Sequence, residues 1–135
     1  MCDMAIDIDL NKPGGAEKIK QIFDRRVTKL MKAATIEFFR QVTISTPVDT
    51  GRARVGWKPS INVPSSYVPP EGKYGMPAIP KLGTITVRDT IYITNNLPYI
   101  KRLNNGYSRQ APARFVESAA ARVQNAISVI AKNIM

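Results

Sequence analysis

From position 16 onward, Ile19, Ile22, Phe23, Val27, Leu30, Ala34, Phe38 and Val42 recur at steps of three and four residues until Ser45-Thr46-Pro47 interrupts them. That spacing marks one face of an α-helix, about 40 Å long at ~1.5 Å per residue. The opposite face carries Lys18, Lys20, Arg25, Lys29, Lys32 and Arg40. The helix ends there because proline disfavours helical geometry in the residue before it. An element of this length, apolar along one side, needs a second layer to cover it, and that need limits what the rest of the chain can be.

The remaining segments supply that layer. Met4, Ile6, Ile8 and Leu10 alternate with Ala5, Asp7 and Asp9, the period of a half-buried strand, before Asn11-Lys12-Pro13-Gly14-Gly15 breaks the pattern. Residues 51–56 read as a short helical turn capped by Asp49 or Thr50, with Arg52 and Arg54 pointing outward. A strand is predicted from Trp57 to about Val63. Residues 64–83 hold Pro64, Pro69, Pro70, Pro77, Pro80, Gly72, Gly75 and Gly83, and are too long for an idle connection, so they read as a functional arm or interface loop.

Residues 84–94 place Ile85, Val87, Ile91 and Ile93 on one parity, which fits either one long strand or a hairpin turning near Arg88-Asp89. Tyr99 to Leu103 is short and amphipathic, and Asn104-Asn105-Gly106 supplies a turn able to take positive φ. A closing helix starts near Pro112, with Phe115, Ala119, Val123, Ala126, Ile127, Ile130 and Ile134 as its buried stripe. The expectation is a single α+β domain, residues 1–135. It has a small antiparallel sheet packed against a long N-terminal helix and a C-terminal helix, with a long Pro/Gly-rich loop.

Composition narrows the chemistry. There is no histidine among the 135 residues, which removes Ser-His-Asp and Cys-His catalysis and His-ligated metals. Cys2 is the only cysteine, so no intrachain disulfide forms and a reducing compartment is expected. No apolar run approaches the ~20 residues that span a bilayer, and Asp3, Asp7 and Asp9 break the stretch where a signal peptide would lie. No cofactor, metal or membrane partner is expected. Residues 11–135 hold all twenty basic residues against seven acidic ones, a field that attracts polyanions or acidic proteins in a salt-dependent way. Arg25, Lys29, Lys32 and Arg40 are the candidate basic face, for acidic neighbours or for non-specific contact with DNA. No helix-turn-helix or zinc-ligand pattern argues for sequence readout.

Two stretches concentrate turn formers at the mouths of regular elements: Thr46-Pro47-Val48-Asp49-Thr50-Gly51-Arg52, and Asn95-Asn96-Leu97-Pro98-Tyr99 followed by Gly106-Tyr107-Ser108-Arg109-Gln110-Ala111-Pro112. With Trp57 between them, a long basic helix before and a helix after, this ordered set resembles the neck and tail-completion proteins of tailed bacteriophages, the minor tail protein Z type. Asn104-Asn105 stands where an acidic residue is more usual in that family, and Ala113-Arg114-Phe115 replaces a small Ala-Gly run.

The resemblance implies a non-enzymatic virion protein at the head–tail junction, assembled in the host cytoplasm and acting as a ring. Its implied partners are copies of itself and neck, head-closure, tail-terminator or tail-tube proteins, with genomic DNA in the channel. Asp49, Thr50, Gly51, Trp57, Asn95, Asn96, Pro98, Tyr99, Gly106 and Pro112 are then structural motif residues. Arg52, Arg54, Tyr74, Tyr107, Arg109 and Gln110 are candidates for partner binding. The two ring patches are expected in residues 64–83 and 98–112.

Other readings stand beside it: a tail-terminator ring, a non-specific DNA-binding protein, and a dimeric aspartic protease using Asp49. In the last case Asp49-Thr50-Gly51 would be the active tripeptide, but Arg52 beside Asp49 would hold it ionised instead of letting two carboxylates share a proton. Trp57 suits either an interface or the core, and a lone Trp beside a strand is more often core. Tyr99 is the better core candidate and Tyr107 the better exposed one.

Overall fold

The computed structural model describes residues 11–106 and 114–134, so the strand expected over residues 4–10 lies outside it. Helix α1 (Gly15–Ser45) is followed by the one-turn α2 (Arg52–Val55), strand β1 (Trp57–Ile61), strand β2 (Ile91–Asn95), the short α3 (Ile100–Asn104) and α4 (Phe115–Ile134). β1 and β2 pair antiparallel, from Trp57 opposite Asn95 to Ile61 opposite Ile91. The architecture is α+β, two helices on a small antiparallel sheet.

The core forms where α1, β1 and α4 meet. Phe39, Val42, Trp57, Phe115 and Ala119 are buried together, with Phe38, Ile93, Ile100, Leu103 and Val116 packed around them. Removing a side chain such as Phe115 from water contributes about 1.5–3 kcal/mol. Trp57 is therefore core. Its indole Nε1 donates to Thr46 Oγ1 at 2.9 Å, and the Thr46 hydroxyl donates in turn to the Val42 carbonyl at 2.6 Å. One buried threonine thus ends α1 and fixes the start of β1. Arg122 on α4 reaches across to α1, donating to Gln41 Oε1 and Ser45 Oγ. Asn104 starts α4, accepting from Val116 N–H through Oδ1 while its Nδ2 donates to the Glu117 carboxylate.

Several expectations are corrected. Phe23 falls on the predicted apolar stripe but is 57 % exposed, because the core residues of α1 are Phe39 and Val42, far along the helix. Ile127, toward the far end of α4, is exposed for the same reason, while Phe115, Ala119 and Val123 are buried as expected. β1 ends at Ile61, short of Val63, because Asn62 turns to φ 67°. Residues 84–94 form neither one long strand nor a hairpin. Asp89 Oδ2 accepts from Thr86 N–H at 2.8 Å, and Asp89 N–H donates to the Thr86 carbonyl at 3.1 Å. That turn uses backbone groups a ladder would need, so pairing begins only at Ile91.

Candidate interaction site

The stretches Thr46–Arg52 and Asn95–Tyr99, some fifty residues apart in sequence, are tied to neighbouring stretches of one region of the fold. Gly51 sits at φ 83° as the residue before α2, and a Cβ built there would lie 2.1 Å from the Tyr74 carbonyl oxygen. Both the positive φ and the close approach demand glycine. Tyr74 N–H donates to the Thr50 carbonyl at 2.6 Å, so the long loop is stitched to this turn at its midpoint. Gly51 takes the cap position of α2, and of the two expected capping side chains it is Thr50 that bonds the helix start, its Oγ1 accepting from Arg52 N–H at 3.3 Å. Asp49 is exposed and makes no hydrogen bond or ion pair among the described residues.

Arg52 and Arg54 are half-buried and bonded to the fold instead of projecting freely outward. Arg52 Nε donates to the Pro69 carbonyl at 3.0 Å, and Pro69 is fully buried. Arg54 donates from Nε to the Thr46 carbonyl and from Nη2 to the Ile44 carbonyl. These acceptors lie at the C-terminal end of α1, whose last turn holds no basic residue of its own. Carbonyls there have no helical partner and favour a cation, and Arg54 supplies one from the next element.

Asn95 and Asn96 work as a pair. Asn95 Nδ2 donates to the Ala53 carbonyl at 2.9 Å, while its Oδ1 accepts from Leu97 N–H. Asn96 Nδ2 donates to the Ser65 carbonyl at 2.6 Å and to the Tyr67 carbonyl at 3.2 Å, and Lys58 Nζ lies 4.7 Å from the centre of the Tyr67 ring. Pro98 is exposed, Tyr99 half-buried, and Gly106 takes φ 98°. A cleft of about 220 Å³ opens here, lined by residues 47–50 with Arg52, Ala53, Tyr99 and Leu103. Tyr107, Arg109, Gln110 and Pro112 lie outside the described residues.

Tyr74 is half-buried, with its hydroxyl donating to the Pro70 carbonyl at 2.7 Å. Beyond it, residues 75–83 make no hydrogen bond among the described residues and expose Met76 and Ile79 at 58 % and 59 %.

The basic face divides. Arg40 is held by Glu37, with Nη2 2.9 Å from both carboxylate oxygens, and the hydrogen bond from Gln41 together with Arg40 keeps the Glu37 carboxyl below its usual range. Arg25, Lys29 and Lys32 instead face a groove that Lys20 and Arg88 also line. Arg88 was not foreseen: it lies in the Thr86–Asp89 turn, and nothing in its local sequence relates it to α1.

Among the described residues, no three His, Cys, Asp or Glu side chains gather closely enough to hold a metal. No helix among the described residues is long and apolar enough to cross a membrane. No protein-family model, curated protein or solved structure matches the chain.

Proposed function

We propose that this protein is a non-enzymatic structural component of a tailed-phage virion, sited at the head–tail junction, where it joins or completes the tail as a ring of copies. The observation that carries this reading is the braced region around Gly51. The two motif stretches on which the family resemblance rests are each built into it by backbone and amide bonds, and residues 75–83 extend from it with Met76 and Ile79 in solvent. Rings are made by one patch meeting a different patch on the next subunit. The arm of residues 75–83 and the cleft beside Tyr99 and Leu103 are two such unlike patches on one subunit.

The cleft offers positioned polar groups and an apolar wall, with Asp49 exposed at its rim. Electron microscopy of particles assembled without this protein tests the reading. Separate heads and tails are expected. Overlong tails would assign it to tube termination, and normal infectious particles would overturn the proposal.

A further inference from the structure

Lys20, Arg25, Lys29 and Lys32 stand along one wall of an open groove, and Arg88 stands on the other. Among the described residues, Asp24 is the only carboxylate lining it, so five cations face one anion. The side chains of these five make no hydrogen bond or ion pair among the described residues, unlike Arg40, which is occupied by Glu37. The Arg88 wall is built rigidly. Asp89 Oδ2 accepts from Thr86 N–H, Asp89 Oδ1 accepts from Asn62 Nδ2, and Asn62 Oδ1 accepts from Thr90 N–H. Asp89 keeps its charge but is held in the turn by these neutral donors, and it makes no ion pair with Arg88 among the described residues.

The spacing and the lining select a ligand. Lys20 to Lys32 spans twelve residues of α1, about 18 Å at ~1.5 Å per residue. One strand of a duplex places about five phosphates over that length, at ~3.4 Å of axial rise each. Among the described residues no aromatic side chain lines the groove, so they offer neither a platform for stacked bases nor the aromatic anchor of a protein hot spot. Phosphate contact needs only the cations.

We infer that this groove binds the phosphate backbone of a nucleic-acid duplex without reading its sequence. The inference concerns the isolated domain and stands apart from the head–tail assignment, so either can fail alone. Titration of the purified protein with a labelled DNA duplex of about 20 base pairs, from about 50 to 200 mM salt, tests it. The expected slope of log affinity against log salt is about −4, the same for two unrelated sequences. Arg25→Glu with Lys29→Glu and Arg88→Glu should weaken binding at least about tenfold at low salt and reduce the slope to about −2. Lys81→Glu with Lys101→Glu and Lys132→Glu makes the same charge change at exposed sites elsewhere, and should alter affinity less than about threefold.

Equal loss in both triple variants would overturn the proposal in favour of diffuse net charge. Competition by polyglutamate as effective as by duplex, charge for charge, would overturn it in favour of an acidic protein partner. Should the triple reversal not fold, Lys29→Gln with Arg88→Gln removes the contacts without adding repulsion, and unchanged affinity and slope in that variant would equally refute the site.

Discussion

Residues 64–74 and 75–83 are equally irregular and equally rich in proline and glycine, yet the fold treats them oppositely. The first half is pinned: Ser65 and Tyr67 carbonyls accept from Asn96, Pro69 accepts from Arg52, and Tyr74 donates to Thr50. The second has no such bond among the described residues and carries Met76 and Ile79 in solvent. The two differ because side chains from elsewhere reach one half and not the other. Proline and glycine content forecasts the absence of regular structure, while anchoring is decided by distant partners. Among the described residues, 75–83 are thus an unbonded span between the Tyr74 tether and buried Ile85.

The strongest way to break the contrast is Gly51→Val. It adds a β-branched side chain at φ 83° and drives a Cβ into the Tyr74 carbonyl, so a loss of at least about 2 kcal/mol is expected in urea unfolding. A fall below about 0.5 kcal/mol would mean that the loop is not clamped there.

Arg52→Ala strikes the same half more gently, at about 1–2 kcal/mol, because it strips the Pro69 carbonyl of a charged donor. Each half contains one trypsin site, Lys73 and Lys81. Wild-type protein should be cut at Lys81 first, and Arg52→Ala should bring Lys73 cleavage up to the same rate. Equal rates in the wild type would erase the distinction.

Acid should loosen the root of the pinned half. Asp89 is held below its usual carboxylate range by the hydrogen bond from Asn62, then by that from Thr86, and Asn62 lies two residues before the loop. A depressed folded value means the contribution is present above the ordinary carboxylate pKa of about 3.9 and is lost as pH falls through the lower folded value. The thermal midpoint should therefore drop further below about pH 4 in the wild type than in Asp89→Asn.

The smallest effects belong where nothing is touched. A Cβ at Gly83 meets no atom within 4 Å, and Asp49 has no partner among the described residues. Gly83→Ala and Asp49→Asn should each shift stability by less than about 0.5 kcal/mol, measured in the same urea series. A larger loss in Gly83→Ala would show that the free half is held after all.

Much of the frame is legible in the sequence. Pro47 forecast the end of α1 at Ser45, Phe115, Ala119 and Val123 are buried on α4, and Trp57 begins a strand in the core. Helical spacing tells which face is apolar, but not how far along the helix cover extends, hence the exposed Phe23. The sequence predicts Arg52 and Arg54 as outward because a charged side chain normally seeks water. Their acceptors are unpaired carbonyls of other segments, which leave no mark in the arginines' own surroundings. The Thr86–Asp89 turn was missed as a strand end because alternation of apolar residues carries no sign of a carboxylate about to capture a backbone N–H.

The clasp between Arg122 and Gln41 joins residues 81 apart, and the core cannot close without it being near. Non-local closure of this kind is slow, since the entropy of ordering the intervening chain comes before the contacts that offset it. About 70 residues separate the end of α1 from the start of α4, and at ~5–20 residues per second the ribosome takes on the order of ten seconds to deliver them. Until α4 emerges, Phe39 and Val42 lack the cover that Phe115 and Ala119 give them in the fold. Neighbouring nascent chains on one message, each holding out the same stripe, are the first partners this protein must avoid.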